Sequence, residues 1–428
     1  MTRVLTTEPP NAVKPTPPSA ARRHLDGAAI LTVTMLGVSA ANYALNLVLA
    51  RFLSPAEFGD ANLAVNVVLI AAAAAATLQL LSARSGAIDD PVAIAVRRRL
   101  TRWAWGLGGA AAAALVLGSS VLAHTFSAST PLLFVVIGIG LPVYLAQAVM
   151  RGALQGDLRL GRLAISYAVE AVTRVGIALV MLALGFGVIG AAVAISVSFV
   201  ASALVVRHRV ATATHGERDT TSAAPPATAA VSVAATVLLV GQVVIANGDV
   251  VLAKALMSPE AAGGYAAAAV IGRGLFFLSW AVVHSTFPVI ARAENTAERR
   301  AASSRALAMV VSTCTIGILG LALVGETLAP LLLGEAYTDT VDILVPYAIA
   351  TTLFAVANLI ASLDLAAGRW RAPVALLLGA ALQTLLLITF GTTPMAMALS
   401  QVAAMAVTGL LVGGAHLCDN RSDEHGGR

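Results

Sequence analysis

Arg174 and Arg273 are the residues of this sequence best suited to chemistry, because each stands deep inside an otherwise apolar stretch. A guanidinium group keeps its charge and offers a rigid, planar set of donors, which suits it to anions of the phosphate type. At the centre of a bilayer such a group costs roughly 2.5–3.5 kcal/mol on insertion scales, so it must face a cavity or a partner. Arg174 lies about eleven residues into its stretch and Arg273 about eight into its own, depths of roughly 16 and 12 Å along a helix. Glu170 precedes Arg174 by one helical turn, so substrate contact and an intrahelical ion pair both stand open for this arginine. Tyr167, Glu170 and Arg174 share one polar face. Arg273 has no charged neighbour at i±4, while His284 follows three turns along the same face. A cavity role for Arg273 is favoured over a structural pair with Asp249.

Weaker polar signals accompany these two. Ser39, Asn42 and Asn46 form a stripe on one helical face, and the positions 203 residues on are Gln242, Ile245 and Asp249. Such groups either line a cleft or tie helices together, a contact averaging only about 0.6 kcal/mol in a membrane. Arg51 and Lys254 end two equivalent apolar stretches, where long cations ordinarily snorkel to headgroups; their symmetry also makes them candidates for an outer gate. Glu170, Asp249 and His284 are the candidates for ion coupling, since each can change protonation between two sides of a membrane. Cys314 and Cys418 cannot make a disulfide framework or a metal site, and there is no Walker-type glycine loop for ATP. No cofactor, metal or catalytic residue is expected.

The elements that must position these groups follow from composition. Apolar residues make up 58% of the 428 and charged residues 11%, with a mean hydropathy of +0.86, more apolar surface than a water-soluble fold can hide. The charge gathers in short clusters. Between them lie runs long enough to cross roughly 30 Å of hydrocarbon as helices, and the alternation of a barrel strand is absent. Twelve spans are expected, at 27–50, 61–82, 103–123, 131–149, 163–183, 188–206, 230–252, 265–287, 305–325, 339–363, 373–391 and 395–415. Placing the N-terminus in the cytoplasm puts 23 of the 27 basic residues on that side and only Arg51 and Lys254 outside, which orients the chain with both termini cytoplasmic. The net charge of +5 therefore reports topology, and no nucleic-acid partner is implied.

Residues 1–26, rich in proline, read as a disordered cytoplasmic tail without a signal peptide. The polar, proline-containing stretch 207–229 reads as a cytoplasmic linker between a six-helix bundle at 27–206 and another at 230–415, with a second tail at 416–428. The bundles carry matching punctuation. Asn46-Leu-Val-Leu-Ala-Arg51 with Ser54-Pro55, Glu57 and Gly59 answers to Asp249-Val-Val-Leu-Ala-Lys254 with Ser258-Pro259, Glu260 and Gly264. The next spans end in Ala83-Arg84 and Ala291-Arg292. Because six is even, the halves enter the membrane from the same side and are related by a pseudo-two-fold axis along its normal, an arrangement known among transporters. Gly106-Leu-Gly-Gly109 before a polyalanine run reads as a close-packing surface.

At these residues the sequence resembles a known family. The stretch NYALNLVLARFLSPAEFGDANLAV, its echo NGDVVLAKALMSPEAAGGYAAAAVIGRGLFF, and Ala153-Leu-Gln155-Gly156 before the basic Arg159–Arg162 are similar to polysaccharide biosynthesis proteins of the oligosaccharide flippase type. These belong to the multidrug/oligosaccharidyl-lipid/polysaccharide exporter superfamily. The resemblance covers most of 27–415 and implies a multi-pass protein of the bacterial inner membrane. It would move a polyprenyl-pyrophosphate-linked oligosaccharide outward by alternating access, with the lipid tail left in the bilayer and polysaccharide assembly enzymes as functional partners. In that setting Arg174, Arg273, Asn42, Asn46, Gln242 and Asp249 are the expected cavity residues. The proline-rich N-terminal tail departs from the family pattern. A multidrug exporter of the same superfamily would share the helices but bind cations. A glycan polymerase or ligase would need a large outer loop, and every outer loop expected here is short.

Overall fold

The computed structural model describes residues 20–85, 91–213, 229–291 and 296–426. Among these there are twelve long helices and no strand. The first bundle holds α1 (Ala20–Phe52), α2 (Pro55–Ala83), α3 (Pro91–Leu117) with the short α4 (Ser119–Thr125), α5 (Leu132–Gly156), α6 (Leu160–Ala183) and α7 (Gly187–Ala213). The second holds α8 (Ala229–Leu256), α9 (Pro259–Ala291), α10 (Thr296–Leu333), α11 (Val341–Ala366) after a 3-10 turn at Glu335–Thr340, α12 (Arg371–Phe390) and α13 (Pro394–Gly426). Eleven of the twelve are long and apolar enough to cross a membrane among the described residues. The twelfth is α9, whose side chains from 277 onward lie outside the described ones.

The two bundles repeat one packing scheme. In the first, α1 packs on α6, α2 on α5, α3 on α5, α5 on α7 and α6 on α7. In the second, α8 packs on α12, α9 on α11, α10 on α11, α11 on α13 and α12 on α13. Each pair is the other shifted by six spans, so the duplication inferred from the Ser-Pro turns extends to the whole bundle. The turns themselves are built for helix starts. Ser54 accepts from the Glu57 N–H while Glu57 accepts from the Ser54 N–H, a reciprocal capping box, with Pro55 at the first helical position. Small residues then let helices meet. A methyl group on Gly152 or Gly156 would come within 2.2 Å of a backbone carbonyl of α2, so this glycine pair seats α5 against α2. Of the Gly106–Gly109 segment only Gly108 packs so, against Pro142; nothing lies near Gly106 or Gly109.

Helix ends differ from the expected spans in one consistent way. Helix α1 starts at Ala20, inside the expected N-terminal tail, α10 runs for 38 residues, and α13 continues to Gly426, through most of the expected C-terminal tail. Hydropathy marks where a chain leaves hydrocarbon, whereas a helix already nucleated propagates by one backbone hydrogen bond per residue into the polar sequence beyond. Conversely, the third span breaks at Gly118, a weak helix former followed by two serines, which sets α4 apart from α3. Residues 1–19 and the centre of the expected linker, 214–228, lie outside the described residues.

Candidate functional site

A cavity of about 410 Å³ lies between the bundles. Its walls come from α1, α2, α6 and α7 on one side and from α8, α9, α11 and α13 on the other. Most of the lining is aliphatic, with polar groups from Ser39, Asn42, Tyr43, Asn46 and Asn62 facing Asn247, Tyr347, Thr351 and Gln401. Its charged lining residues are Arg174 and Arg273, one from each bundle.

Behind each arginine stands a carboxylate that does not line the cavity. On the first bundle, Arg174 donates to Glu170 Oε1 at 2.6 Å and to Asn42 Oδ1 at 3.3 Å. The other Glu170 oxygen accepts from Arg151 at 2.7 Å and from Gln147 at 3.2 Å. Arg151 is itself buried, donating to the Ser202 hydroxyl at 2.7 Å and covering the Tyr167 ring at 4.0 Å. On the second bundle, Arg273 donates to Asp249 Oδ1 at 2.9 Å and to the Tyr347 hydroxyl at 3.1 Å. Asp249 Oδ2 accepts from Tyr347 at 2.8 Å, Tyr265 at 3.3 Å and Gln401 at 3.4 Å. Both arginine side chains keep 19% of their surface exposed, whereas that of Asp249 has none. The arrangement presents cations to the cavity and hides their counter-ions. Three guanidinium groups against two carboxylates leave an excess of one positive charge.

The two readings left open for each arginine are therefore not exclusive in geometry, since each both lines the cavity and holds a carboxylate. Asn42 and Asn46 line it as well. Gln242 does not: it lies by a second cavity and donates to Asn358 at 2.6 Å. Asp249 turns away from the lumen because a carboxylate excluded from water goes where donors satisfy it. Its engagement by Arg273, like that of Glu170 by two arginines, makes it a counter-ion, and protonating either would dissolve an ion pair. His284 sits on α9 where side chains lie outside the described ones.

Contacts between the bundles gather at the end carrying the α1–α2 turn. Lys254 of α8 is not exposed to headgroups: it pairs with Asp60 of α2 at 2.8 Å, with about 1–2% of either side chain exposed. Asp60 also accepts from the Ser129 N–H at 2.8 Å. Arg51 of α1 donates to the Leu331 carbonyl of α10 at 2.8 Å. Phe58 meets Tyr337 edge to face, and Gly59 abuts Gly263, where an added methyl group would stand 1.7 Å from the Pro55 carbonyl oxygen. Arg51 and Lys254 thus hold the bundles together at this end. Arg151, Asp60, Tyr347 and Gln401 are functional candidates that spacing alone missed. Asn62, which also lines the cavity, had a signal, since Asn62 and Asn66 repeat the i, i+4 pattern of Asn42 and Asn46.

A family model described as polysaccharide biosynthesis protein matches residues 24–294. No curated protein matches the chain in sequence. Solved structures share its fold. An inward-facing multidrug resistance MATE family transporter of the MOP superfamily superposes with a TM-score of 0.72 at 15% identity, over 92% of this chain and 99% of that one. An outward-facing conformation of such a transporter gives 0.58 at 15% identity, over 91% and 95%. The lipid II flippase MurJ, in an inward closed conformation, gives 0.66 at 14% identity, over 90% and 86%.

Proposed function

The chain belongs to the polysaccharide biosynthesis protein family, and from that premise we propose that it is a flippase for a polyprenyl-pyrophosphate-linked oligosaccharide in the bacterial inner membrane. A multi-pass transporter of the MOP superfamily has two bundles that can rock about the site between them. The observation that carries the finer reading is the placement of Arg174 and Arg273 on opposite walls of one cavity, with their carboxylates withdrawn behind them. A pyrophosphate has oxygens enough to accept from both guanidinium groups at once, so it would bridge the two bundles. The aliphatic remainder of the wall suits the isoprenoid, whose tail would stay in lipid.

In this reading the termini and the α2–α3 loop are cytoplasmic, and the end closed by Lys254–Asp60 and Arg51–Leu331 is the outer one. The cavity is then poised to load from the cytoplasmic leaflet. Release outward requires the outer contacts to part and the bundles to close at the cytoplasmic end. Glycosyltransferases would supply the cargo and a polymerase or ligase would consume it.

A cationic-drug exporter with the same helices would bind the opposite charge, which gives a direct test. Undecaprenyl pyrophosphate added to the purified full-length protein in detergent should raise its unfolding midpoint by several degrees, as any ligand bound only by the folded state does. Ethidium should leave the midpoint unmoved. Stabilisation by ethidium with none by the pyrophosphate lipid would reverse the assignment.

A further inference from the structure

A second cavity of about 430 Å³ opens between the bundles, bounded by α2, α5 and α6 on one side and α8 on the other. It lies toward the α2–α3 end of the same helices that line the arginine cavity. Tyr167 precedes Arg174 on α6 by seven residues, about 10 Å of rise, and Gln242 precedes Ala246 on α8 by one turn. No charged side chain lines it among the described residues; its polar groups are Thr77, Gln79, Gln155, Tyr167, Thr236 and Gln242, set among alanines and leucines.

These groups are held in place. Tyr167 donates to Gln79 Oε1 at 3.2 Å, and Gln79 donates to Gln155 Oε1 at 2.8 Å. The Tyr167 ring is held by Arg151, whose guanidinium lies over it at 4.0 Å. Across the gap, Gln242 donates to Asn358 at 2.6 Å; on the first side, Thr77 of α2 donates to the Ala73 carbonyl, leaving its oxygen able to accept. A carboxamide offers a donor pair and an acceptor in one plane, and only part of that capacity is used among the described residues. The ligand that such a surface matches is uncharged, presents many hydroxyl groups that each donate and accept, and has C–H faces for the aliphatic wall.

We propose that this second cavity is a glycan subsite: Gln79, Gln155 and Tyr167 of the first bundle and Gln242 of the second bind the sugars next to the pyrophosphate and select the glycosylated lipid over the bare one. The proposal rests on the reading that the arginine cavity holds the lipid pyrophosphate. It gives the protein a division of labour, with charge recognition at the arginines and neutral hydrogen bonding one to two helical turns nearer the loading end.

The test measures binding of two probes by native mass spectrometry of the full-length protein: undecaprenyl pyrophosphate without sugar, and undecaprenyl-pyrophosphate-linked oligosaccharide extracted from cells that carry the protein. The unaltered protein should favour the glycosylated probe. Gln242→Ala and, separately, Gln79→Ala should each weaken the glycosylated probe about five- to tenfold, the size of a lost neutral hydrogen bond, and leave the bare lipid within about twofold. Two variants from opposite bundles guard against one failing to fold. Equal loss of both probes would show that the amides only brace the bundles, and unchanged binding of both would show that sugars do not reach them; either overturns the subsite. An unaltered protein that binds both lipids equally overturns the subsite and leaves the flippase reading standing. One that binds neither overturns both.

Discussion

Replacing Arg273 with alanine should lower export of the lipid-linked oligosaccharide by about two orders of magnitude, the worth of a two-point charge-assisted contact of roughly 3 kcal/mol. The same substitution also strands Asp249, whose side chain has no exposed surface and whose Oδ1 accepts from Arg273 at 2.9 Å. An uncompensated buried carboxylate destabilises a fold by about 3–5 kcal/mol, so loss of export by itself would not separate cargo binding from folding. A double variant does separate them. Asp249→Asn with Arg273→Gln removes both charges while the new amide can still accept from Tyr347 and Tyr265. Its unfolding midpoint should return close to that of the unaltered protein while export stays blocked. If the double variant exports normally, the pair serves only to fasten α8 to α9, and the anion site must be sought elsewhere.

The second large effect concerns the closed end. Gly263 of α9 approaches α2 so closely that any side chain there would collide with the Pro55 carbonyl, and that backbone atom is fixed by the capped start of α2. Gly263→Val should therefore disfavour the state with this end shut, by the few kcal/mol that overpacking costs. In a background with Cys314→Ala and Cys418→Ser, a Ser39→Cys reporter in the cavity wall should react with a membrane-impermeant thiol reagent added on the α1–α2 turn side about tenfold faster once Gly263→Val is present. Export should fall, because a transporter held open on one side cannot complete a cycle. An unchanged labelling rate would mean that the Gly59–Gly263 contact does not govern access. The buried Lys254–Asp60 pair bears on the same equilibrium, since parting the bundles there must bring two charges into water.

Much of this was legible in the sequence, for identifiable reasons. The deep arginines stood out because charge is rare in hydrocarbon-length runs, and the repeat was readable because Ser-Pro with an acidic residue just beyond it is a favoured helix start that recurs in both halves. Partners were not legible. Arg151 follows the apolar run 131–149 and looked like a loop cation, but α5 continues to Gly156, and Glu170 of α6 with Ser202 of α7 encloses it. Lys254 looked like a snorkelling cation until Asp60, from the other bundle, closed over it. The repeat placed Gln242 and Asp249 in the cleft by analogy with Ser39 and Asn46. Structure then divided them, because duplicated backbones do not oblige unlike side chains to face the same way. Asp249 went to the hydroxyl groups of Tyr265 and Tyr347, and Gln242 to the neighbouring cavity. Spacing along one chain reports which face a residue occupies; it does not report what another bundle brings to that face.

The central claim is that two bundles carry an anionic, sugar-bearing lipid across the membrane between Arg174 and Arg273. It is tested most directly by reconstituting the full-length protein in liposomes loaded with undecaprenyl-pyrophosphate-linked oligosaccharide and following, with a membrane-impermeant lectin, how fast sugars change leaflet. The unaltered protein should expose the inner-leaflet sugars to the lectin, and the Asp249→Asn, Arg273→Gln protein, which strands no buried carboxylate, should not when reconstituted to the same level. Movement as fast in that double variant, or none with the unaltered protein, would contradict the claim.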